Sequence, residues 1–294
     1  MKKLIMISFY TALAFLMAGC ARKQVTVAEQ NGWKLGAQTY TFNHFTLVQT
    51  FDKMKTLKLK YAEVYFGQKL GEGFGDATMD YHLGADTRLK ILELAKSKGI
   101  KIMACGVVTC ETEKEWEDVF GFAKEMGIEV ITSEPTLQQL DFVEKLTDKY
   151  KISIAIHNHP KPATYWNPDT LMAAIKGRSL RIGSCADVGH WERMGIDPVK
   201  ALETCEGRII SVHIKDVAAR SGQGEAAGEF AGQHDVIWGK GVCHVDSMLR
   251  ELNRQKFQGL FSIEYEYNWD NSVPDLAECI EYFNQQAMEI FQKK

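Results

Sequence analysis

Residues 152–177 read ISIAIHNHPKPATYWNPDTLMAAIKG and contain one complete strand-and-helix unit. The run from Ile152 to His157 is short and apolar, which predicts a buried strand. PDTLMAAIKG has the spacing of apolar residues that is typical of a helix, and a second apolar run, LRIGSCAD, follows at residues 180–187. This stretch therefore predicts two parallel strands joined by a helix.

The same order repeats from Trp33 to the end of the chain. The predicted strands are KLGAQTY, YAEVYF, KIMACGVV, EVITSE, ISIAIH, LRIGSCAD, RIISVHIK and LFSIEYE. Each is followed by a helical pattern, and a doubly wound sheet would alternate in the same way. No GxGxxG follows the first strand, however, and eight strands suit closure. The sequence thus predicts an α/β fold, a single-domain (β/α)₈ TIM barrel over residues 33–294.

The first 19 residues have the pattern of a secretory signal peptide. Lys2 and Lys3 precede an apolar run, Leu4 to Ala18, that is shorter than the roughly 20 residues a spanning helix needs. The segment LMAGC resembles a bacterial lipoprotein signal, which implies cleavage before Cys20 and lipid attachment there; an ordinary signal with an incidental cysteine is the alternative. Residues 20–32 are then a lipidated tether. We expect an exported, membrane-anchored lipoprotein that faces the periplasm.

Charge and cysteine content narrow the function classes. Without residues 1–19, which carry Lys2, Lys3 and no acid, 33 of the 35 basic residues remain against 38 acidic ones, a net charge of −5. A mildly acidic protein is a poor nucleic-acid binder. Cys105 and Cys185 lie in apolar strands, which predicts buried free thiols despite an oxidising compartment.

Strand alternation predicts which side chains face the barrel axis. In the seventh strand Ile210, Val212 and Ile214 are predicted to point outward, which leaves polar residues inside. The same argument on the other strands collects an inward set near the carboxyl ends of the strands, where barrel enzymes keep their chemistry. This set is Glu63, Glu134, His157, His159, Asp187, His213, Lys215, Glu264 and Glu266.

So many carboxylates in one barrel mouth predict a bound cation. Burying them together is costly through like-charge repulsion and desolvation unless a positive charge offsets it. Two or three carboxylates with an imidazole suit a divalent ion such as Mn²⁺, Co²⁺, Zn²⁺ or Mg²⁺. Taken singly, each residue could instead be a solvated carboxylate at a loop or a hydrogen-bonded core histidine.

Four motifs resemble the xylose-isomerase-like barrel superfamily, the sugar phosphate isomerase and epimerase group. They are SCADVGHW, SVHIKD, WGKGVCHVDSMLREL and SIEYE, in this order along nearly the whole mature chain. The resemblance implies a metal held by Asp187, His213 and Glu264. The keto-sugar epimerases carry a glutamate at the end of strand five, where this chain has His157. Members resembling inosose dehydratase use a glutamate from strand four, which Glu134 matches, so Glu134 is assigned as fourth ligand and His157 is its rival.

The expected activity follows from this resemblance and from the expected export. An exported protein does not ordinarily meet sugar phosphates, and no Gly-rich phosphate loop is evident, so an unphosphorylated sugar or glycoside is expected. Secreted relatives include lyases that act on 3-keto-glycosides. We therefore expect proton removal next to a sugar carbonyl, most simply by a lyase. The alternatives are a sugar isomerase or epimerase and a non-catalytic sugar-binding lipoprotein; the endonuclease branch is disfavoured by the negative charge.

Each remaining residue of the predicted site has an expected role. His159, His157 and Glu63 are candidates for proton transfer. His190 and Lys215 would hold substrate hydroxyls or a developing oxyanion. Trp166 and Trp191 would stack on a sugar ring, although they could equally cover the barrel rim. Glu266 would hydrogen-bond a metal ligand without touching the metal.

Overall fold

A computed structural model describes residues 25–220 and 233–292. Its eight parallel strands close into one barrel in chain order, which confirms the predicted (β/α)₈ fold. The strands are β1 (Trp33–Gln38), β2 (Tyr61–Val64), β3 (Lys101–Val108), β4 (Val130–Ser133), β5 (Ser153–His157), β6 (Ile182–Asp187), β7 (Ile209–Ile214) and β8 (Gly259–Ile263).

Helices follow the strands and cover the outside of the barrel. They are α1 (Val27–Gln30), α2 (Leu47–Thr56), α3 (Ala85–Lys98), α4 (Glu113–Glu125), α5 (Leu140–Tyr150), α6 (Pro168–Ala174), α7 (Val188–Arg193), α8 (Pro198–Thr204), α9 (Val245–Arg254) and α10 (Val273–Gln292), with a 3₁₀ helix at Thr39–Phe42. The sequence patterns did not predict α1, α7 or the 3₁₀ helix. In the described part of the chain, none of the helices combines the length and the apolarity that crossing a membrane requires.

The segment expected to be a tether is ordered where the structure describes it. The signal peptide, Cys20 and the tether up to residue 24 lie outside the described residues. Thr26 caps α1 with its hydroxyl, which accepts a hydrogen bond from the Glu29 amide at 3.2 Å. Ala28 is buried, and Glu29 pairs with Lys60 Nζ at 2.7 Å. Packing on the barrel therefore begins before Trp33.

Two layers of apolar side chains form the core. The large outer cluster lies between strands and helices, and a smaller inner cluster that includes Ala155, Cys185 and Leu260 fills the barrel interior. Ile210 packs against the inner cluster, so its predicted outward direction is wrong. The register between β6 and β7 shifts at Ser184 and Cys185, which pair with Ile209 and Ser211 and skip Ile210.

The cysteines of the described residues are all free and buried. Burial raises the pKa of Cys110, Cys205 and Cys279 to about 12, because the thiolate is poorly solvated there. We expect essentially none of these six thiols to react with DTNB within minutes at about pH 8 in the folded protein, and all six to react after denaturation. Rapid reaction of the native protein would contradict this burial.

Candidate metal centre and active site

Four side chains from successive strands meet at the carboxyl end of the barrel. His157 ends β5, Asp187 ends β6, His213 lies in β7, and Glu264 directly follows β8. Each offers a ligand atom, and these atoms all lie within 4.8 Å of one another. All four side chains are buried. We call this group the four-residue cluster.

Asp187 has a different task for each carboxylate oxygen. Its Oδ1 accepts a hydrogen bond from the His190 amide at 2.8 Å and so caps the start of α7. Its Oδ2 lies 3.4 Å from His157 Nε2 and 3.5 Å from His190 Nε2. Because the cap fixes Oδ1, Oδ2 is held toward the centre of the four-residue cluster. Burial raises the pKa of Asp187, but the ammonium of Lys215 lowers it well below its usual value.

His213 is oriented from below by Glu63. Its Nε2 lies 2.9 Å from Glu63 Oε2, and its Nδ1 lies 2.9 Å from Glu264 Oε2. Glu63 also accepts hydrogen bonds from the Thr132 hydroxyl at 2.5 Å and the Ser262 hydroxyl at 2.6 Å. Glu63 is fully buried and saturated with donors, so its predicted role in proton transfer does not suit its position. A carboxylate that fixes a histidine in this way orients a metal ligand.

The donor set of the four-residue cluster fits a divalent ion. Neither ring nitrogen of His157 makes a hydrogen bond of good geometry although the ring is buried, and the nearest carboxylate oxygens, on Asp187 and Glu134, lie 3.4 and 3.5 Å away. Buried polar atoms in folded proteins are otherwise nearly always paired. Two imidazoles and two carboxylates match the ligand preferences of Mn²⁺, Co²⁺ and Zn²⁺. Burial lowers the pKa of His157, but Asp187 and Glu134 raise it to about 9, so a proton must leave before this ring can bind metal.

Lys215 supplies a positive charge beside the same oxygens. Its Nζ lies 2.9 Å from Asp187 Oδ2, 2.8 Å from Glu264 Oε2 and 2.7 Å from Glu266 Oε1. The side chain is buried, and its stem runs past Gly189, where an added Cβ would come within 2.7 Å of Lys215 Cβ. Lys215 was predicted to contact substrate, but here it neutralises carboxylates. Glu266 reaches the four-residue cluster through this ammonium.

Glu134 lies beside the four-residue cluster and not in it. Its Oε1 forms a short contact with His159 Nδ1 and lies 3.5 Å from His157 Nδ1. The strand-four carboxylate thus pairs with imidazoles, and His157 occupies the place that the sequence assignment gave to Glu134. Burial by itself raises the pKa of Glu134, but the two imidazoles have the larger effect and lower the pKa to about 2. This carboxylate therefore stays charged at neutral pH.

His159 is the accessible member of a group of imidazoles. Its side chain is 47% exposed, whereas that of His157 is 1% exposed. The two ring centroids are 4.2 Å apart, and the ring of His190 lies 5.6 Å from each of them. Since Glu134 engages Nδ1 of His159, the other ring nitrogen is left to face the barrel mouth. His190 is buried, and burial lowers its pKa well below the usual value, which keeps it neutral.

Asn158 was missed by the sequence analysis. Its side-chain amide donates to the Asp187 carbonyl at 2.9 Å, and its Oδ1 accepts from the Asp187 amide at 2.8 Å. This double link ties the end of β5 to the end of β6 and so fixes His157 and His159 relative to Asp187. A polar residue between two histidines was the available signal, but its partner could not be known from the sequence.

The two predicted stacking residues differ in position. Trp191 belongs to α7 and is fully buried in the outer core, so it cannot stack on a sugar ring. The prediction was wrong because a helix, capped by Asp187, begins where a loop was expected. Trp166 is partly exposed and carries Lys161 Nζ over its ring at 4.0 Å.

Residues 217–236 form a long polar stretch after β7, which predicts an active-site loop or lid. The structure describes only its ends, since residues 221–232 lie outside the described part. Val217 and Asp235 form an antiparallel bridge. Asp235 also pairs with Arg193 and accepts a hydrogen bond from the Glu266 amide at 2.6 Å. The two ends of this segment are therefore joined at the barrel mouth.

The Glu63→Gln variant tests the support of His213. We expect it to bind divalent metal roughly 10- to 100-fold more weakly, because the amide holds the imidazole less firmly and in a different tautomer. Calorimetric titration with Mn²⁺ measures the change. Glu129→Gln, at an exposed pair with Lys101, is the control and should leave the affinity unchanged. Unchanged affinity in Glu63→Gln would contradict the role assigned to Glu63.

The Lys215→Met variant tests competition between the ammonium and a metal ion. Without metal, the free energy of unfolding should fall by about 3–5 kcal/mol, because buried carboxylates lose their counter-ion. The affinity for Mn²⁺ should rise at least about tenfold, since the ion no longer competes with an ammonium group for Asp187 Oδ2 and Glu264 Oε2. Lys240→Met, at an exposed pair with Glu278, is the control. Weaker Mn²⁺ binding by Lys215→Met would rule out competition.

Comparison of this chain with known proteins identifies a family and several structures of the same fold. The profile of the family described as "Xylose isomerase-like TIM barrel" matches residues 51–286. A solved structure of an uncharacterised protein from Parabacteroides distasonis ATCC 8503 is 38% identical, with a TM-score of 0.70, and the match covers 86% of this chain and 99% of that one. Among curated protein sequences, none matches this chain.

Two more distant structures share the fold. A D-tagatose 3-epimerase-like protein is 16% identical with a TM-score of 0.68, over 88% of this chain and 99% of that one. The probable 3-DHS dehydratase of Bacillus anthracis is 14% identical with a TM-score of 0.66, over 85% of this chain and 98% of that one. At this level of identity, the likeness concerns the barrel alone.

Proposed function

The chain belongs to the xylose isomerase-like TIM barrel family, and from that premise we propose that it is a divalent-metal-dependent enzyme that removes the proton beside a sugar carbonyl. The observation that carries this proposal is the four-residue cluster next to the Glu134 and His159 pair. The cluster offers ligands, and the pair offers an accessible base. We propose further that the reaction is elimination from a 3-keto-glycoside.

The proposed ligands are His157, Asp187, His213 and Glu264. A divalent ion held by them supplies Lewis-acid polarisation of the substrate carbonyl. Glu63 and Asn158 keep the ligands in place through the hydrogen bonds given above. Lys215 offsets the part of the negative carboxylate charge that the ion leaves uncompensated. His157 is preferred to Glu134 as a ligand because its ring nitrogens make no hydrogen bond of good geometry, whereas Glu134 already forms a short contact with His159.

His159 is proposed as the base. Glu134 accepts a hydrogen bond from Nδ1–H of His159, which fixes the tautomer and leaves the other nitrogen to take a proton from the substrate carbon. The carboxylate also stabilises the imidazolium that forms. Because His159 is 47% exposed at the barrel mouth, it can reach a bound sugar without movement of the strands.

The elimination balances without an oxidant or reductant. His159 takes the proton from the carbon between the ketone and the anomeric carbon, and that electron pair becomes the new C=C bond. The bond from the anomeric carbon to the aglycone oxygen breaks, and the aglycone leaves as an alcohol after taking a proton from solvent. His159 then returns its proton to solvent. The products are an unsaturated keto-sugar and the free aglycone.

Placement of the acidic groups favours elimination over epimerisation. Two-base epimerisation needs a second acid-base group on the opposite face of the sugar carbon. Glu63 is buried beneath His213, and Glu134 is engaged by His159, so neither is placed for that task. An isomerase on unphosphorylated ketoses remains the second candidate, because it would use the same base and metal.

The proposal includes export and lipid attachment at Cys20. Its support is the sequence of residues 1–20 alone, which lie outside the described part. Mass spectrometry of the membrane fraction should detect a diacylglyceryl-modified N-terminal peptide that begins at Cys20. A mature protein that begins elsewhere, or remains uncleaved, would contradict it. Export also underlies the choice of an unphosphorylated glycoside.

The test uses purified protein freed of metal and reloaded with Mn²⁺, Co²⁺ or Zn²⁺. Incubation with a 3-keto-glucoside in D₂O, followed by NMR, should show metal-dependent release of the aglycone. Separate incubation with a free ketohexose in D₂O that gave a rearranged sugar containing deuterium, with no aglycone release from the 3-keto-glucoside, would replace the lyase by an isomerase or epimerase. No reaction and no metal binding would leave a sugar-binding lipoprotein as the remaining candidate.

A further inference from the structure

Three aromatic side chains gather at one sector of the barrel mouth. Tyr40 lies in the 3₁₀ helix after β1, Tyr65 directly follows β2, and Trp269 lies in the segment after β8. These strands are neighbours in the closed barrel, with β1 in the middle. We call the three residues the aromatic wall. The role of sugar stacking that the sequence gave to Trp191 has a better-placed candidate here.

The wall has an open geometry with Tyr40 at its centre. The ring centroid of Tyr40 is 5.1 Å from that of Tyr65 and 5.8 Å from that of Trp269, and it meets each ring edge-on at 84°. Tyr40 is 40% exposed, and the other two rings are partly exposed. Large aromatic side chains usually bury such surface in the core, so apolar ring faces at a barrel mouth suggest a ligand.

Hydrogen bonds hold the wall in place. The buried hydroxyl of Thr39 accepts from the Tyr65 amide at 3.2 Å. The buried hydroxyl of Thr41 donates to the Ile263 carbonyl at 3.1 Å and accepts from the Tyr265 amide at 3.0 Å. The 3₁₀ helix that presents Tyr40 is thus fastened to the ends of β2 and β8. A preformed platform binds a ligand with a smaller entropy cost than a mobile one.

The chain connects the wall directly to the proposed catalytic centre. The segment that follows β8 carries Glu264 of the four-residue cluster, then Glu266 on Lys215, and then Trp269. His44 and Asp270, 2.9 Å apart, add polar groups at the outer edge, and the His44 ring lies 5.8 Å from that of Trp269. Apolar faces with a polar rim are typical of sites that bind ring-shaped ligands.

We propose that the aromatic wall binds the leaving group of the substrate, and that this group contains a six-membered ring with an apolar face. An aryl group and a second pyranose share that chemistry, because both present a flat apolar surface to an aromatic ring. The inference rests on the proposed glycoside substrate. It assigns the keto-sugar to the metal end of the mouth and the aglycone to the sector of β1, β2 and β8.

Binding to ligands that cannot react tests this subsite without turnover. Phenyl β-glucoside, cellobiose and methyl β-glucoside lack the 3-keto group and differ in the aglycone. Calorimetric titration of the Mn²⁺-loaded full chain should give a Kd at least about tenfold lower for a glucoside whose aglycone contains a ring than for methyl glucoside. A preference for phenyl glucoside alone assigns an aryl leaving group, and one for cellobiose alone assigns a second sugar.

Variants connect the preference to the wall. Tyr40→Ala and Trp269→Ala should lose it, whereas Tyr40→Phe, which keeps the ring, and Tyr150→Leu, at the end of α5, should retain it. Thermal unfolding checks that the alanine variants fold. Equal binding of all three glucosides, or a preference that survives both alanine variants, would overturn the inference. Because no turnover is needed, a ring preference without aglycone release would refute the proposed reaction and leave the subsite standing.

Discussion

The Asp187→Asn variant is expected to lose its divalent metal and, with it, detectable turnover. Asparagine is isosteric and keeps the oxygen that caps α7, so the backbone should be unchanged. What it loses is the charge on Oδ2, the atom beside His157 Nε2 and Lys215 Nζ. Replacing a group that only supports a metal ligand costs roughly 10- to 100-fold in affinity, so loss of a ligand should exceed that range.

The chain offers a closely matched control for this variant. Asp197 caps α8 through its own carboxylate, which accepts hydrogen bonds from the amides of Val199 and Lys200, and it is exposed. Asp197→Asn therefore makes the same chemical change at the same kind of helix start. Metal content by mass spectrometry and kcat/KM should be unaltered in it. Full metal occupancy in Asp187→Asn would remove Asp187 from the metal site.

The His159→Gln variant is expected to lose turnover while it keeps its metal. Loss of a general base costs roughly 10² to 10⁴ in kcat. The effect should fall on kcat and kcat/KM together, because the proton transfer occurs in the transition state. His159 does not belong to the four-residue cluster, so metal affinity should stay near that of the wild type. Deuterium exchange at the substrate carbon, followed by NMR, measures the loss of proton abstraction directly.

A second exposed histidine serves as the comparison. His82 pairs with Asp80 at 2.9 Å, as His159 pairs with Glu134, and it lies outside the four-residue cluster. His82→Gln should leave kcat unchanged. If His159→Gln lost its metal as well as its activity, His159 would be a ligand and another group would be the base. Unimpaired proton exchange in His159→Gln would exclude it from both roles.

The fold followed from local patterns, because each strand carries its own periodicity. β3 spans the predicted residues 101–108, and the other strands agree to within a few residues at their ends. The 3₁₀ helix at Thr39–Phe42 and the first turn of α7 are short, and they depend on contacts with other strands. Trp191 was placed on a loop for this reason. Short capped segments leave little pattern in a sequence.

The sequence predicted which side chains of the candidate site face the barrel axis, but not how far along the axis each one lies. Alternation placed Glu63, Glu134 and His157 on the inner faces of their strands. It could not give their heights along the barrel axis. Glu63 lies below His213 and accepts a hydrogen bond from its Nε2, while Glu134 lies beside His159. The choice of His157 over Glu134 depends on the relative ends of β4 and β5, which only the assembled barrel defines.

The carboxylates that Lys215 contacts could not be predicted from the sequence either. Its inward direction and the need for a cation were both evident from the sequence. That the ammonium itself contacts Asp187 and Glu264 depends on the close passage of its stem over Gly189 in α7. A buried lysine and a divalent ion are alternative ways to offset the same carboxylates, and Lys215 Nζ contacts the oxygen atoms that a divalent ion would use.

The most direct test of the central claim is the location of Mn²⁺ by anomalous diffraction in crystals of the metal-loaded protein. The account predicts one peak bound by His157, Asp187, His213 and Glu264, with Lys215 Nζ withdrawn from the shared oxygens and Glu134 still on His159. A peak bound by Glu134 in place of His157 would contradict the ligand assignment. Absence of any peak among these four residues, at Mn²⁺ concentrations that saturate the protein's turnover, would contradict the metal centre itself.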